Sequence, residues 1–215
     1  RRRRFFHCFP LPLVAFFFPV CYTGPDMPER TVFLQMLTYS IPCLFGLEGL
    51  VGDELRRLDL QDVQVENGRV LCRGEISDLP RLNINLRCGE RVLIQLGSFP
   101  ARSFEALFEG VRALPWEEFI PRDGQFPVKG YALDSQLHSV PDCQKIVKKA
   151  AARRLGQVYG LEQLPEAGAK YQIQFAIHRD QCTLYLDTSG AGLHKRGYRA
   201  VGVEAPLRET LAAAM

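Results

Sequence analysis

A predicted helix over residues 141–155 carries the clearest chemical signal in the sequence, a set of basic side chains on one face. The four basic positions are Lys145, Lys148, Lys149 and Arg153. At about 100° per residue they share roughly 140° of the helix surface. The apolar positions on the opposite face are Cys143, Ile146, Val147 and Ala150. A cationic face can follow a phosphate backbone, but it can equally be a solvated surface, and the absence of Asp and Glu among the four favours binding.

A second basic cluster, His194-Lys195-Arg196 with Arg199, follows the glycine-containing run Asp187 to Gly192. We therefore expect Lys195, Arg196 and Arg199 to contact a nucleic-acid backbone as well. The run itself looks superficially like a loop that binds S-adenosylmethionine. However, Lys195 occupies the third glycine position, and a basic segment follows instead of an apolar helix. We interpret it as a flexible connector.

Signals for catalysis or metal binding are otherwise missing from the sequence. It contains no Asn-Pro-Pro-aromatic motif, P-loop, GxSxG or HExxH. His138 and His178 are single histidines with expected structural roles, Asp134 and Asp142 suit turns and caps, and Trp116 suits a core. We expect no catalytic, cofactor-binding or metal-binding residue within 36–215.

Cysteine usage points to a reducing compartment. The chain has seven cysteines, at positions 8, 21, 43, 72, 88, 143 and 182, without a CxxC pair. The sequence therefore predicts a cytoplasmic protein with free thiols, no metal and no membrane attachment.

Charge is unevenly distributed along the 215 residues. Residues 1–35 hold five of the 27 basic and two of the 24 acidic residues, which leaves 22 of each in residues 36–215. Nucleic-acid binding must therefore depend on local patches rather than on bulk charge.

Residues 1–35 differ in composition from the rest. Four arginines precede an apolar run from Phe5 to Val20, as in a signal peptide, but the run contains three prolines and is short for a membrane span. We expect a non-native leader, translated from a start placed too early, with the folded domain opening at Met36. A true export signal is the alternative.

The elements that position these residues form two α/β units. The first reads β-α-β-β-α-β. Its predicted elements are a strand at 37–42, a helix at 46–58, a hairpin of 63–66 and 69–73 around Asn67-Gly68, a helix at 78–87 capped by Ser77, and a strand at 91–96. The second has predicted helices at 103–113 and 141–155, a short piece at 116–119, and strands at 126–133, 171–177 and 182–187.

The chain resembles bacterial THUMP-domain class I RNA methyltransferases, in particular the ribosomal RNA large subunit methyltransferase L type, which is often labelled an N6-adenine-specific DNA methylase. The resemblance covers Met36 to Met215. Its motifs are Gly46-Leu47-Glu48-Gly49-Leu50 with Asp53-Glu54-Leu55, Asn67-Gly68 with Gly74, Asp134-Ser135-x-Leu137-x-Ser139, Pro141-Asp142-Cys143-Gln144 with Ile146 to Ala150, the run Leu186 to Arg199, and the run Ala205 to Ala214.

The resemblance implies an α+β fold: an N-terminal ferredoxin-like domain, then a THUMP domain, ending at the start of a missing Rossmann-like methyltransferase domain. We expect the ferredoxin-like domain to begin in 36–77 and extend to about residue 100, the THUMP domain to occupy 78–189, and 190–215 to form a linker and first helix.

The implied function is RNA binding, as the substrate-positioning portion of an S-adenosylmethionine-dependent 23S rRNA guanine-N2 methyltransferase truncated before its catalytic domain. Structured RNA, specifically ribosomal RNA, is the expected partner, and S-adenosylmethionine is expected only for the full-length enzyme. The alternatives are a stand-alone RNA-binding THUMP module, part of a tRNA-modifying enzyme, and a secreted or membrane-attached protein if the leader is real.

Overall fold

The computed structural model describes residues 36–197 and 206–215. The expected leader at 1–35 and the predicted RNA contact Arg199 lie outside the described residues.

The first half has the predicted ferredoxin-like order β-α-β-β-α-β. The elements are β1 (Leu37–Pro42), α1 (Glu48–Arg57), β2 (Gln61–Glu66), β3 (Arg69–Gly74), α2 (Asp78–Asn85) and β4 (Leu93–Pro100). Their strands are antiparallel and lie in the order β2-β3-β1-β4. The fold class predicted from the sequence is confirmed for this half.

The second half contains a parallel crossover followed by a hairpin. The elements are α3 (Phe104–Arg112), a 3₁₀ turn (Trp116–Glu118), β5 (Val128–Leu133), α4 (Val140–Tyr159), β6 (Gln172–His178), β7 (Gln181–Asp187) and α5 (Glu209–Ala212). Strands β5 and β6 are parallel and α4 connects them, while β6 and β7 are antiparallel. Parallel strands need such a crossover, so α4 has a fixed place between their ends.

One seven-stranded sheet joins the two halves, in the order β2-β3-β1-β4-β7-β6-β5. The junction is an antiparallel ladder between β4 and β7, from Leu93 opposite Asp187 to Pro100 opposite Gln181. The register shifts between Gln95 and Gly97. The two halves therefore share a backbone ladder and do not merely touch through side chains.

The helices pack on one face of this sheet. Buried residues of α1, α2, α3 and α4 form a single cluster with alternate strand residues, including Ile41, Val70, Ile94, Phe175 and Leu184. We call the opposite face the second face. It carries a separate buried group, Leu93, Ala176 and Tyr185.

Local contacts confirm some of the sequence predictions and correct others. Trp116 is fully buried as predicted, and its indole N–H donates to the Val111 carbonyl at 2.7 Å. The predicted Ser77 cap is wrong, because Ser77 makes no capping bond and its hydroxyl donates to Glu75 instead. The Asp78 carboxylate accepts from the Glu75 N–H at 2.9 Å.

Glu48 connects two motifs that are far apart in the sequence. Its carboxylate accepts from the Gly46 N–H at 2.8 Å and from the Gly68 N–H at 2.9 Å. The bond from Gly68 is the main reason that the pKa of Glu48 is lowered. The hairpin turn between β2 and β3 is thereby fixed to the start of α1.

Two glycines give a matched test of the packing. A Cβ at Gly130 in β5 would lie 2.2 Å from the Phe175 carbonyl oxygen on the neighbouring strand, whereas a Cβ at Gly49 in α1 meets no atom within 4 Å. We expect Gly130→Ala to lower the free energy of unfolding by about 1–3 kcal/mol. Gly49→Ala should be neutral or stabilising, because alanine favours helix. Urea unfolding of both variants checks this, and equal stabilities would contradict the strand packing.

Candidate nucleic-acid interface

Helix α4 buries the face that its periodicity predicts. Cys143, Val147 and Ala150 are fully buried, and Ile146 packs against the same core. The helix begins after Ser139, with Pro141 in its first turn. It runs to Tyr159, beyond the predicted end at Leu155, and stops at Gly160, whose φ of 64° lies in the left-handed region. Its opposite face is thereby turned away from the core.

Asp180 anchors the loop that leads into α4. It lies in the β6–β7 turn, and its carboxylate accepts from the Ser135 hydroxyl at 2.9 Å and from the Gln136 N–H at 2.8 Å. These two bonds lower its pKa, the backbone bond having the larger effect. The motif Asp134 to Ser139 therefore has a structural role, because it fixes where α4 starts.

The four predicted cations of α4 divide into two kinds. Lys145 lies 3.5 Å from the Asp142 carboxylate, which also accepts a 2.6 Å bond from Ser139. Lys148 forms a 2.6 Å ion pair with Glu166 and lies 4.2 Å from the centre of the Phe126 ring. The prediction that no carboxylate lies beside the basic side chains of α4 is therefore wrong for Lys145 and Lys148.

Lys149 and Arg153 remain as the exposed cations of α4 that form no ion pair within residues 36–197 and 206–215. They are four residues apart, so their side chains lie on the same face one turn apart. Neighbouring Arg154 is different, because it is bound to Glu117. Lys149 and Arg153 are the α4 groups best placed to contact phosphates.

The second predicted cluster is not a set of free cations. The Arg196 guanidinium donates to three backbone carbonyls, those of Leu193, Ile84 and Leu86. It thus satisfies carbonyls at the end of α2, which is a structural role, and its RNA contact stays a prediction. Lys195 is exposed. It lies on a different segment of the chain from α4, so it is a candidate RNA contact separate from Lys149 and Arg153.

The segment after β7 is held firmly, which corrects its interpretation as a flexible connector. Asp187 is buried and accepts from Arg91 at 2.5 Å. The Ser189 hydroxyl accepts from the Val92 N–H at 2.8 Å and donates to Asn83 at 2.7 Å. These contacts tie the segment to the two residues that precede β4 and to α2.

Glu90 extends this attachment toward the C-terminal residues. Its carboxylate accepts from the Thr210 hydroxyl at 2.9 Å and lies 3.4 Å from both His194 and Arg208. His194 and Arg208, which belong to the last two motifs of the family resemblance, therefore contact the ferredoxin-like half.

Within the described residues no cluster of three His, Cys, Asp or Glu side chains could hold a metal ion. None of the helices in that part of the chain has the length and apolarity needed to cross a bilayer.

Sequence reasoning missed the carboxylate partners of Lys145 and Lys148 on α4. Asp142 could have been found from its three-residue spacing to Lys145, but Glu166 has no local signal.

Two regions of the chain match known protein families. Residues 38–93 match the RlmL ferredoxin-like domain and residues 101–187 match the THUMP domain. Helix α4, with Lys149 and Arg153, lies within the second match.

Relatives share this pair of regions. The chain is 44% identical over 172 residues to "Putative RNA methyltransferase YpsC" of Bacillus subtilis (strain 168), covering 79% of this chain and 44% of YpsC. It is 35% identical over 173 residues to "Ribosomal RNA large subunit methyltransferase K/L" of Syntrophotalea carbinolica, covering 79% of this chain and 24% of that protein. The chain thus spans less than half the length of these relatives.

One similar solved structure is that of SMU.472, described as "a putative methyltransferase complexed with SAH". It has 42% identity and a TM-score of 0.76, and the match covers 84% of this chain and 48% of SMU.472. The fold and both family matches define a protein with a ferredoxin-like domain followed by a THUMP domain. The chain contains an RlmL ferredoxin-like domain and a THUMP domain, and the predicted resemblance to THUMP-domain RNA methyltransferases of the large subunit methyltransferase L type is confirmed.

Asp180 gives a pH-dependent test of how α4 is positioned. Because its folded pKa lies below the ordinary value of 3.8, its ionised form stabilises the fold above that pH, and the contribution is lost as the pH falls through the folded pKa. We expect Asp180→Asn to have a lower melting temperature than wild type at pH 7, with the difference shrinking below about pH 4. Thermal melts across this range check it, and a difference that is constant with pH would contradict it.

Proposed function

We propose that this chain is the RNA-binding, substrate-positioning part of an S-adenosylmethionine-dependent RNA methyltransferase. The observation that carries the proposal is the THUMP match at 101–187, within which α4 presents Lys149 and Arg153 to solvent. Phosphate contacts of this kind fix the position of an RNA and do not read its sequence. Choosing and modifying a base would then be the task of another part of the whole protein.

The proposed RNA is ribosomal, because a relative is named as a ribosomal RNA large subunit methyltransferase. The finer proposal follows from the family resemblance: the target is the exocyclic N2 of a guanine in 23S rRNA. Ribosomal RNA is modified in the bacterial cytoplasm, so the proposal also places the chain there.

S-adenosylmethionine is the proposed methyl donor of the whole protein. The relatives are named as methyltransferases, and the SMU.472 structure contains SAH, the form that the donor takes after losing its methyl group. The glycine-containing segment after β7 does not fit this cofactor. Asp187 is already paired with Arg91, and Ser189 is bound to Val92 and Asn83. No methyl-transfer step is therefore assigned to the described residues.

The role of this chain is then to hold structured RNA while a base is presented to a distant pocket. An enzyme that modifies a base usually takes it out of the helical stack, which costs a few kcal/mol. Phosphate contacts on a rigid helix can offset part of that cost, because they hold the flanking RNA without competing for the base. The anchored start of α4 at Asp180 suits this requirement for rigidity.

The salt dependence of RNA binding tests the role of α4. We expect the double variant Lys149→Ala, Arg153→Ala to bind a 23S rRNA stem–loop more weakly than wild type. Each phosphate contact that is lost should reduce the slope of log affinity against log salt by about 0.7–0.9. Stability should stay within about 0.5 kcal/mol, because both side chains are exposed. Fluorescence anisotropy over a range of salt concentrations, with a melting curve for each variant, measures both quantities.

The matched control is Arg56→Ala on α1, which removes an exposed cation that is paired locally with Asp53. It should leave the slope unchanged. Lys148→Ala should change the slope less than Lys149→Ala, because Glu166 already neutralises Lys148. A double variant with the wild-type affinity and slope would show that α4 is a solvated surface. Tighter binding to a tRNA than to the stem–loop would favour the tRNA-modifying alternative.

A further inference from the structure

The second face of the sheet exposes a row of side chains along its edge strand, β5. Val128 and Ala132 pack into the core, so Lys129, Tyr131 and Leu133 point to the other side. Tyr131 is 49% exposed and the Lys129 side chain is 45% exposed. An aromatic ring and a cation thus stand two residues apart on an accessible strand.

A layer of side chains continues from this row across the sheet. Arg69 of β3 donates to the Tyr185 hydroxyl of β7 at 2.8 Å, although two strands lie between them. Tyr185 lies over the second face with Leu93 and Ala176, and all three are nearly buried. Tyr131 is near enough to Tyr185 to contribute to the raised pKa of that phenol, of which burial is the main cause. This layer, which we call the platform, spans both halves, and its centre is buried while Tyr131 and Lys129 lie at its accessible edge.

Positive charge is in excess at one end of the platform. Asp187, whose side chain is 1% exposed, accepts from Arg91 at 2.5 Å and from the Gln174 amide at 2.9 Å. Lys129 lies farther away, 3.9 Å from the same carboxylate oxygen. Burial, then Arg91, and further Lys170, lower the pKa of Lys129, so two other cations act on Lys129 and Asp187 is the carboxylate that opposes them. An added anion would relieve their mutual repulsion.

We infer that the second face binds a single-stranded segment of RNA, with a base stacked on Tyr131 and a phosphate held by Lys129. Unstacked bases stack well on exposed aromatic rings of a sheet, whereas duplex RNA exposes its backbone and not the faces of its bases. The excess of positive charge beside the ring is complementary to the negative charge of the RNA backbone that would carry those bases. The inference rests on the proposed function, and it adds a second surface with a different RNA preference from α4.

The test uses the whole chain and a fluorescein-labelled oligouridylate. Loss of base stacking typically weakens binding by about five- to a hundredfold, so Tyr131→Ala should do so, while Tyr131→Phe should retain affinity within about twofold. Lys129→Gln should lower the salt slope by about 0.7. Phe104→Ala, which removes a 41% exposed ring from α3, and Arg56→Ala on α1 are controls that should bind like wild type. A melting curve accompanies each variant.

Photocrosslinking provides a measurement on the wild-type chain that does not depend on the folding of a variant. An oligonucleotide that contains 5-iodouridine should crosslink to the peptide that carries Tyr131. Wild-type affinity in both Tyr131→Ala and Lys129→Gln would overturn the inference, as expected if another protein surface covers this face. So would a wild-type chain that binds the 23S stem–loop but no oligouridylate, and the proposed function would then still stand. A chain that binds neither RNA would overturn both.

Discussion

The ladder between β4 and β7 is the interaction on which the rest of the structure depends. β4 closes the ferredoxin-like half and β7 closes the THUMP half, and their pairing turns two small sheets into one. Each half alone would expose an unpaired strand edge at this point, which proteins generally avoid. The shared sheet aligns the helices of both halves on one side, and it makes the second face continuous from Arg69 to Tyr131.

Most charges in the described residues are neutralised close to where they occur. Lys145, Lys148 and Arg154 on α4 each have a carboxylate partner, and Arg91 is paired with Asp187. This agrees with the near-neutral composition of residues 36–215. Several exposed cations of the described residues have no such partner, among them Lys149 and Arg153 on the helical side. On the second face Lys129 stays half-exposed, 3.9 Å from Asp187.

The sequence was a good guide wherever the determining contacts are local. Periodicity predicted the buried face of α4 from Cys143 to Ala150, and the Asn67-Gly68 turn predicted the β2–β3 hairpin, because both depend on neighbours within a few residues. The element order β-α-β-β-α-β, obtained from such local patterns, already predicted the ferredoxin-like half, and the family motifs supplied the THUMP domain.

The Ser77 cap and the Asp142–Lys145 pair are local failures, whereas the other failures involve contacts between residues far apart in the chain. Glu166 reaches Lys148 across a loop, Arg196 reaches the end of α2, and the β4–β7 register joins strands separated by more than 80 residues. No spacing rule connects such residues. The seven cations predicted to contact RNA remain predictions, and the structure adds that Lys145, Lys148 and Arg196 already have partners. The second face had no signal of its own in the sequence.

Hydrogen exchange along β4 and β7, measured with increasing denaturant, tests most directly whether the two halves form one structural unit. If the shared ladder unites them, the amides of β4 and β7 should lose protection together with those of β1 and β6, in a single cooperative transition. Early loss of protection at the β4–β7 junction, followed by separate unfolding of the ferredoxin-like and THUMP halves, would contradict this account.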